Sequence, residues 1–407
     1  MYITRAIEGY LTEVSRQFPV VLLTGARQVG KTTVLRHLGG RDRTCISLDD
    51  PRHLELARAD PALFLQRYPP PLLIDEIQYA PQLLPLIKMA VDAKRRPGAY
   101  WLTGSQQFHL MRGVSESLAG RVAVARLLGL SRREILGEEP AAEPFLPTED
   151  GLRKRRDRAR PLTLAGLYDT IHRGSFPSLI SDKSLHPETY FGSFTATYLQ
   201  RDVRDLARVG DEMAFLRFLR ASAARTGQLL NISEVSRDAG VSPVTGGKWL
   251  SILEASGLIY LLEPWYANPT RRMVKRPKLY FLDTGLAAYL LDYVTPGTLE
   301  AGALTGAILE TWIMGELLKS WWNNGLRAPF HYYRDHDQKE IDLLIIQNGV
   351  VHPLEFKKTA SPGRHSVQHF SLLNKLGMPV GPGGVLCLTP DLMPLTDKFW
   401  SIPVSLL

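Results

Sequence analysis

The chain has 407 residues, which is too long for a single ordinary hydrophobic core and predicts two or three domains. With 44% hydrophobic and 22% charged residues, its composition excludes a disordered chain. Its net charge of +8 favours an anionic partner, with nucleic acid ahead of an acidic protein, although diffuse surface charge would give the same excess. The mixed-polarity start, the absence of an apolar run of roughly 18 residues and the scarcity of cysteine predict a cytoplasmic protein with no membrane partner.

The first motif lies in PVVLLTGARQVGKTTVLRHL, which predicts a strand, a glycine-bearing turn and a helix. Gly25 to Thr32 match G-x-x-x-x-G-K-[ST]. In this pattern, glycines let backbone amides point at a polyphosphate, the lysine reaches the β- and γ-phosphates, and the threonine hydroxyl ligates magnesium. A chance match in a glycine-rich turn is the alternative. The motif predicts an ATP and Mg²⁺ site formed by Gly25, Ala26, Arg27, Gln28, Val29, Gly30, Lys31, Thr32 and Thr33.

Polar residues follow the next two predicted strands. In PPPLLIDEIQYAP, Asp75 is expected to hold magnesium and Glu76 to act as general base on the attacking water; alone, such a pair would be a solvated strand end. In AYWLTGSQQF, the strand ends at Thr103, Ser105 and Gln106. Ser105 or Gln106 could position the lytic water, and an ordinary turn is the alternative.

The segment SESLAGRVAVARLLGLS predicts a short helix broken at Gly120, then Arg121 and another strand. Arg121 could reach a neighbouring subunit's nucleotide as an arginine finger, which predicts a homo-oligomer. A helix-terminal arginine favoured by the macrodipole is the alternative.

These segments in this order resemble the AAA+ ATPase superfamily. GARQVGKTT, LLIDEIQ, LTGSQ and SLAGR look closely like one bacterial and archaeal family that joins an AAA+ module to a winged helix and a C-terminal nuclease-like domain. The resemblance implies that Lys31 and Thr32 act in the phosphate loop, and Asp75 and Glu76 in hydrolysis. It also implies that Ser105 is the first sensor and Arg121 the finger.

The middle of the chain changes in composition. Residues 137–161 are rich in proline and acid and then in arginine, which predicts an exposed connector with solvated charge at Arg153 to Arg160. A nucleic-acid or dimer contact for this basic block is the alternative. Residues 162–225 are expected to form a helical bridge.

A helix-turn-helix is predicted within LLNISEVSRDAGVSPVTGGKWLSILEASGLIYLLEPW. Ser233 and Ser242 would cap the two helices around a turn at Gly240, and LIYLLEPW and KLYFLD would form a wing. Inward packing is expected of Val244, Trp249, Leu250, Leu253 and Leu258. A basic wing would be formed by Arg271, Arg272, Lys275, Arg276 and Lys278.

DNA is the expected partner of this segment, with a structural or oligomer role as the alternative. Gly246 and Gly247 fall inside the second helix, where each costs about 1 kcal/mol relative to alanine. Neither has a side chain to read a base edge. We therefore expect little sequence preference.

The C-terminal segment HYYRDHDQKEIDLLIIQNGVVHPLEFKKT predicts a hairpin with an Asn348-Gly349 turn. The turn would bring Asp342 beside Glu355 and Lys357, and the preceding helix carries Glu310. The four resemble the PD-(D/E)xK nuclease core, which implies that Glu310, Asp342 and Glu355 chelate Mg²⁺ or Mn²⁺ and that Glu355 and Lys357 act in phosphodiester cleavage. A surface ion pair, or a fold kept only for binding, is the alternative.

The predicted fold class is thus α/β multidomain: an AAA+ P-loop parallel sheet, a helical and winged-helix domain, and an α/β PD-(D/E)xK nuclease-like domain. Predicted boundaries are 1–136, 137–161, 162–225, 226–295 and 296–407. The leading hypothesis is a Mg²⁺-dependent ATPase that binds DNA and licenses metal-dependent cleavage. Its rivals are a nucleotide-driven switch and a DNA-binding regulator, each with a C-terminal domain that does not cut.

Overall fold

The computed structural model describes residues 2–104, 117–138, 143–198, 211–265 and 276–407. Some predicted positions lie outside these described residues: Ser105, Gln106, Arg271, Arg272 and Lys275.

A five-stranded parallel sheet forms the first part of the chain, in the order β2-β3-β4-β1-β5. Its strands are β1 (Val20–Thr24), β2 (Thr44–Ser47), β3 (Leu72–Asp75), β4 (Tyr100–Gly104) and β5 (Val122–Arg126). The helices that alternate with them along the chain are α1 (Glu8–Gln17), α2 (Lys31–Gly39), α3 (Pro51–Ala59), α4 (Pro61–Arg67) and α5 (Leu83–Ala93). A 3₁₀ turn, Ile77–Tyr79, follows β3.

Both faces of the sheet are covered, which explains why β1 is apolar throughout. Val20 and Leu22 on one face join a core with residues of α3, α4 and α5. Val21 and Leu23 on the other face join a larger core that continues through the helical middle of the chain into the C-terminal part. One face of the sheet therefore packs into the core that the first part of the chain shares with the rest.

Helices dominate the middle of the chain. They are α6 (Arg132–Ile135), α7 (Glu149–Arg156), α8 (Leu164–Arg173), α9 (Pro177–Ser181), α10 (Pro187–Tyr198) and α11 (Glu212–Ala223).

The prediction of an exposed connector at residues 137–161 holds only in part: Arg153, Lys154 and Arg156 are exposed as expected, but other described residues are buried. Phe145 and Leu152 are fully buried. The buried Arg155 guanidinium donates to the carbonyl oxygens of Leu406 (3.1 Å) and Glu143 (2.7 Å). This segment therefore packs against the C-terminus of the chain.

The physical reason is that the charged block forms helix α7 rather than a loop. Thr148 caps the helix by accepting from the Gly151 N–H. Arg153 and Lys154 pair with the acids one turn earlier, Glu149 and Asp150. Acid followed four residues later by base is a helix signal, so the sequence did contain the pattern that identifies α7.

A helix-turn-helix lies where the sequence predicts it. Its helices are α12 (Ile232–Ala239) and α13 (Pro243–Ala255), joined through Gly240 at φ 74°. A three-stranded sheet in the order β6-β8-β7 accompanies them. Its strands are β6 (Gln228–Leu229), β7 (Ile259–Leu262) and β8 (Lys278–Phe281), and two further helices, α14 (Thr284–Leu290) and α15 (Pro296–Ala301), follow.

Two details of this segment were predicted wrongly. The residue at the start of α12 is Asn231, so Ser233 lies inside the helix and does not cap it. Val244 is 71% exposed because it lies in the first turn of α13, before the stretch in which Trp249 and Leu253 are buried. Ser242 does cap α13, accepting from the Thr245 N–H.

The C-terminal part is a six-stranded mixed sheet behind a long helix, α16 (Thr305–Trp322). Its order is β13-β14-β12-β11-β10-β9, with β9 (Phe330–Arg334), β10 (Glu340–Gln347), β11 (Val350–Lys357), β12 (Gly383–Cys387), β13 (Met393–Pro394) and β14 (Phe399–Pro403). Arg364–Leu376 is a 3₁₀ segment and Val404–Leu406 another. The β10–β11 turn has Asn348 at φ 52° and Gly349 at φ 77°, as the hairpin prediction requires.

The helix-turn-helix segment and the C-terminal sheet are joined through backbone hydrogen bonds. Trp265 N–H donates to the Tyr332 carbonyl (2.7 Å), and Tyr332 N–H donates to the Glu263 carbonyl (3.2 Å). The chain after β7 thus extends the C-terminal sheet beside β9. Within the ranges described, no helix has the length and apolar character needed to cross a membrane.

Candidate nucleotide site and C-terminal carboxylate cluster

The predicted phosphate loop joins β1 to α2, and its two glycines are required for different reasons. Gly25 has φ +152°, and a Cβ there would overlap the carbonyl oxygen of Leu127. Gly30 has φ +93°, a conformation that L side chains rarely adopt. The loop shape therefore depends on both positions.

Lys31 lies in this loop with its side chain turned back over it. The residue is buried, and its ammonium donates to the carbonyl oxygens of Gly25 (3.1 Å) and Ala26 (2.8 Å). A buried ammonium beside main-chain oxygens is placed to exchange them for phosphate oxygens.

The strand-end carboxylate Asp75 gathers hydroxyl groups from three other elements. Thr32 Oγ1 at the start of α2 and Thr103 Oγ1 at the end of β4 each donate to Asp75 Oδ1 at 2.5 Å. Ser47 Oγ at the end of β2 donates to Asp75 Oδ2 at 3.3 Å. Hydroxyl and carboxylate oxygens are the donor set that Mg²⁺ prefers, so Thr32 and Asp75 fit the predicted metal role.

Glu76 follows Asp75 in a strained backbone conformation, at φ 59°. Its N–H donates to Thr103 Oγ1 at 3.0 Å, and its carboxylate accepts from the Gln78 side-chain amide. A non-glycine residue at positive φ costs of order 1–3 kcal/mol and is found preferentially at functional sites. Thr103 thus links the backbone of Glu76 to the side chain of Asp75.

Residues far away in sequence also contact the loop. The buried Arg5 guanidinium donates to Val29 O (2.9 Å) and pairs with Glu134 (3.0 Å). Tyr190 OH on α10 donates to Gln28 Oε1 (2.5 Å). Sequence reasoning missed Arg5 and Tyr190, because neither lies in a local pattern and their partners are far along the chain.

Arg121 lies at the other end of the sheet from the phosphate loop of its own chain. It directly precedes β5, whose first residue pairs with Val20, whereas the loop follows the last residue of β1. Five strand residues span about 16 Å. Arg121 donates to Asp92 at 2.5 and 2.9 Å and is partly exposed.

At the C-terminal end, the residues predicted to form a nuclease site lie together. Lys357 Nζ is 2.9 Å from Glu355 Oε2 and 3.8 Å from Asp342 Oδ2. Asp342 Oδ2 also accepts from the Phe356 N–H at 2.9 Å. Glu310, on α16, accepts from Tyr280 OH at 2.5 Å.

Lys278 corrects one prediction and changes the interpretation of this group. Predicted as part of a basic wing, it is instead buried on β8, with 3% of its side chain exposed. Its ammonium lies 2.6 Å from Glu340, 3.2 Å from Glu310 and 3.3 Å from Asp342. We call Glu310, Glu340, Asp342 and Glu355 the carboxylate cluster. Lys278, which lies in a different sheet, partly neutralises the negative charge of this cluster.

The protonation of the cluster follows from burial and these cations. Burial is the largest influence on Glu310 and Glu355, and raises the pKa of Glu310 to about 7 and the pKa of Glu355 to about 9. Burial also opposes ionisation of Asp342, but the ammonium groups of Lys278 and Lys357 outweigh it and hold its pKa below the ordinary value. Burial therefore favours the protonated form of Glu355, whereas Lys357 favours its carboxylate.

In this arrangement the cluster does not fit a divalent metal. The Lys278 ammonium lies where an ion shared by Glu310 and Asp342 would bind. Among the described residues, no group of three or more His, Cys, Asp or Glu side chains is arranged to hold a metal. The expectation that Glu310, Asp342 and Glu355 form a metal site is therefore not met here.

Comparison with known proteins identifies the parts of the chain. A family model described as "AAA domain" matches residues 17–136, and models described as domains of unknown function match residues 164–296 (DUF8612) and 305–407 (DUF4143). Two uncharacterized proteins, Mb2031c of Mycobacterium bovis and Rv2008c of Mycobacterium tuberculosis, are each 32% identical over 349 residues, covering 84% of this chain and 71% of theirs. The chain belongs to the same family as these mycobacterial proteins.

Solved structures with partial likeness include the Walker-type ATPase PABY2304 of Pyrococcus abyssi, with 15% identity and a TM-score of 0.46, covering 71% of this chain and 96% of that one. A point variant of Thermotoga maritima RuvB has 15% identity and a TM-score of 0.30, covering 62% and 88%.

The AAA domain carries the phosphate loop, Asp75, Glu76 and Arg121. The predicted fold class is confirmed as a parallel P-loop ATPase sheet followed by a helical region and a C-terminal mixed-sheet domain. Neither the nuclease-like assignment nor the winged-helix assignment is supported by a family match. The roles of individual site residues stay predictions.

Proposed function

We propose that the chain is a Mg²⁺-dependent ATPase whose nucleotide state controls its helix-turn-helix and C-terminal parts. The observation that carries the proposal is the gathering of Thr32 and Thr103 on Asp75, immediately beside the buried Lys31. Each of these groups comes from the end of an element, and each is a type that phosphoryl transfer requires.

Each residue of the site would have a separate role in ATP hydrolysis. The loop amides from Gly25 to Thr33 would bind the phosphates, and Lys31 would reach the β- and γ-phosphates. Thr32 and Asp75 would hold Mg²⁺, which supplies charge neutralisation on the phosphates when it is bound. Glu76 would take the proton of the attacking water. The predicted sensor Ser105 lies outside the described residues.

Transmission of the nucleotide state is supported by what touches the loop. Tyr190 of the helical region donates to Gln28. A Cβ at Gly257, just after α13, would lie 3.3 Å from the Ala26 nitrogen. Residues of the phosphate loop thus lie against both the helical region and the helix-turn-helix. This proximity supports a nucleotide-driven switch.

DNA is the proposed partner of the helix-turn-helix. The support is the net charge of +8 and the exposed basic residues Arg237, Lys248 and Arg276. Gly246 is buried against α12 and Gly247 bears no side chain, so neither reads a base edge. Binding should therefore depend on phosphates and weaken steeply with salt.

Phosphodiester cleavage is a second candidate function. The close approach of Asp342, Glu355 and Lys357 favours it. Because the Lys278 ammonium lies among Glu310, Glu340 and Asp342, we give precedence to a C-terminal domain that does not cut in this arrangement. Labelled DNA incubated with Mg²⁺ or Mn²⁺, with and without ATP, distinguishes the candidates, since cleavage lost on Glu355→Ala would establish the second.

The experiment that tests the proposed function is ATP turnover. Lys31→Ala should lower kcat by about 100-fold or more, because a preorganised cation on the transferred phosphate is removed. Lys154→Ala is the matched control, since this lysine is exposed on α7 and pairs with a surface acid. Turnover by Lys31→Ala equal to that of the control would refute the assignment of the site.

A further inference from the structure

Lys278 is the first residue of β8, the central strand of the β6-β8-β7 sheet. Lysine is seldom buried unless it is paired, and this one is 3% exposed. The ammonium has three acidic neighbours within 3.3 Å, which are Glu310, Glu340 and Asp342. The buried lysine is therefore held by charge from outside its own sheet.

The partners of β8 come from separate elements of the C-terminal domain. Glu310 projects from α16, whereas Glu340 and Asp342 project from β10. Tyr280, two residues along β8 and hence on the same face as Lys278, donates its hydroxyl to Glu310 at 2.5 Å. One strand thus supplies both an ammonium and a hydroxyl to the cluster.

Two further cations, Lys357 and Arg334, lie beside the carboxylate cluster. Lys357 forms ion pairs with Glu355 and Asp342, and Arg334 Nη1 lies 2.9 Å from Glu340. A divalent ion needs several oxygens within about 2.0–2.6 Å of one point. The oxygens best placed to provide them are those already gathered around the Lys278 ammonium.

We propose that Lys278 is the resident cation of the carboxylate cluster and that it competes with a hard divalent cation for the same oxygens. A metal of the Mg²⁺ or Mn²⁺ class then binds these oxygens only where the Lys278 ammonium is absent from them. The inference goes beyond the proposed ATPase and does not depend on it.

The test measures Mn²⁺ binding to the full chain without nucleotide. The readout is the electron paramagnetic resonance signal of free Mn²⁺, which falls as Mn²⁺ binds. Lys278→Met removes the ammonium and keeps an apolar stem. In the wild-type background, we expect the substitution Asp342→Asn to leave Mn²⁺ binding unchanged, because the carboxylate cluster holds no Mn²⁺. We expect Lys278→Met to gain one Mn²⁺ site, and Lys278→Met with Asp342→Asn to lose it.

The matched control is Lys319→Met. Lys319 is also a buried lysine of the C-terminal domain, but its ammonium pairs with Glu316 (2.8 Å) and the Leu130 carbonyl (2.9 Å), away from the cluster. Its removal should create no Mn²⁺ site that depends on Asp342. A gain there equal to that in Lys278→Met would mean that loosened packing, not a vacated cation position, admits the metal, and would overturn the proposal.

Three further outcomes decide whether the proposal holds. An Asp342-dependent Mn²⁺ site in wild type as tight as that in Lys278→Met would overturn the proposal, because no competition would exist. If Lys278→Met unfolds without metal, Mn²⁺ should restore its near-ultraviolet circular dichroism and raise its melting temperature while leaving wild type unchanged. Absence of any Mn²⁺ effect on the variant, folded or not, would also overturn it. No outcome bears on ATP turnover.

Discussion

At the scale of single residues, the conformation of the phosphate loop depends on its backbone, and this conformation positions the side chains that would bind nucleotide. Gly25 has φ +152° and approaches the Leu127 carbonyl so closely that a Cβ would overlap it. Gly25→Ala should therefore distort the loop, lower nucleotide affinity and reduce the free energy of unfolding by about 1–3 kcal/mol. Binding of a fluorescent ATP analogue and chemical denaturation measure the two effects.

The control for this substitution is Gly9→Ala. Gly9 lies exposed in α1 and has no atom within 4 Å of where a Cβ would be. Alanine there should be neutral or stabilise the chain by about 0.5–1 kcal/mol, because glycine is a poor helix former. Equal loss of nucleotide affinity in both variants would contradict the assignment of a strained loop at Gly25.

The loop residues could be predicted because their chemistry lies within consecutive residues and a fixed spacing. Ser47 and Arg5 could not be predicted in the same way. Ser47 reaches Asp75 only because β2 and β3 are neighbours in register, and Arg5 reaches Val29 only through the packing of α1 against the sheet. Local patterns report local geometry, and these contacts are tertiary.

At the scale of elements, α7 shows a charged segment with one buried face. Arg155→Ala removes donors from the Leu406 and Glu143 carbonyls in a buried position. The free energy of unfolding should fall by about 1–3 kcal/mol, since buried acceptors would lose their partners. Arg153→Ala, 62% exposed, should change it by less than about 0.5 kcal/mol. Equal effects in urea denaturation would contradict the assignment of a buried face.

Gly246 and Gly247 of α13 cannot be told apart from the sequence pattern, but the packing of α13 on α12 gives them different surroundings. A Cβ at Gly246 would overlap the hydroxyl of Ser236, whereas Gly247 has nothing within 4 Å. Gly246→Ala should destabilise the chain by about 1–3 kcal/mol through overpacking. Gly247→Ala should stabilise it by up to about 1 kcal/mol. Thermal unfolding of both variants checks the opposite signs, and a shared sign would refute the close approach of the helices.

At the scale of the whole molecule, the placement of Lys278 marks the limit of sequence reasoning. Its neighbours in sequence are basic, so a wing was the natural prediction. Its neighbours in space are Glu310, Glu340 and Asp342, each distant along the chain. The hairpin and Glu-x-Lys spacing correctly predicted which residues meet around Asp342, because register fixes them. The lysine that enters from another sheet leaves no local pattern.

Oligomerisation is the remaining property that belongs to the whole molecule, and Arg121 makes it testable. Its position at the opposite end of β5 keeps it about 16 Å from its own phosphate loop. If Arg121 completes a neighbour's site, Arg121→Ala and Lys31→Ala should each abolish turnover alone. An equal mixture should recover about a quarter of wild-type turnover, because one in four random head-to-tail pairings joins an intact loop to an intact Arg121.

The control for the mixture is the double variant, Lys31→Ala with Arg121→Ala, added to either single variant. No pairing that contains the double variant joins an intact loop to an intact Arg121, so no turnover should return. Recovery with the single variants should also rise with protein concentration, because the active pairing forms only by association. Wild-type turnover by Arg121→Ala at every concentration would instead assign the arginine to its pair with Asp92.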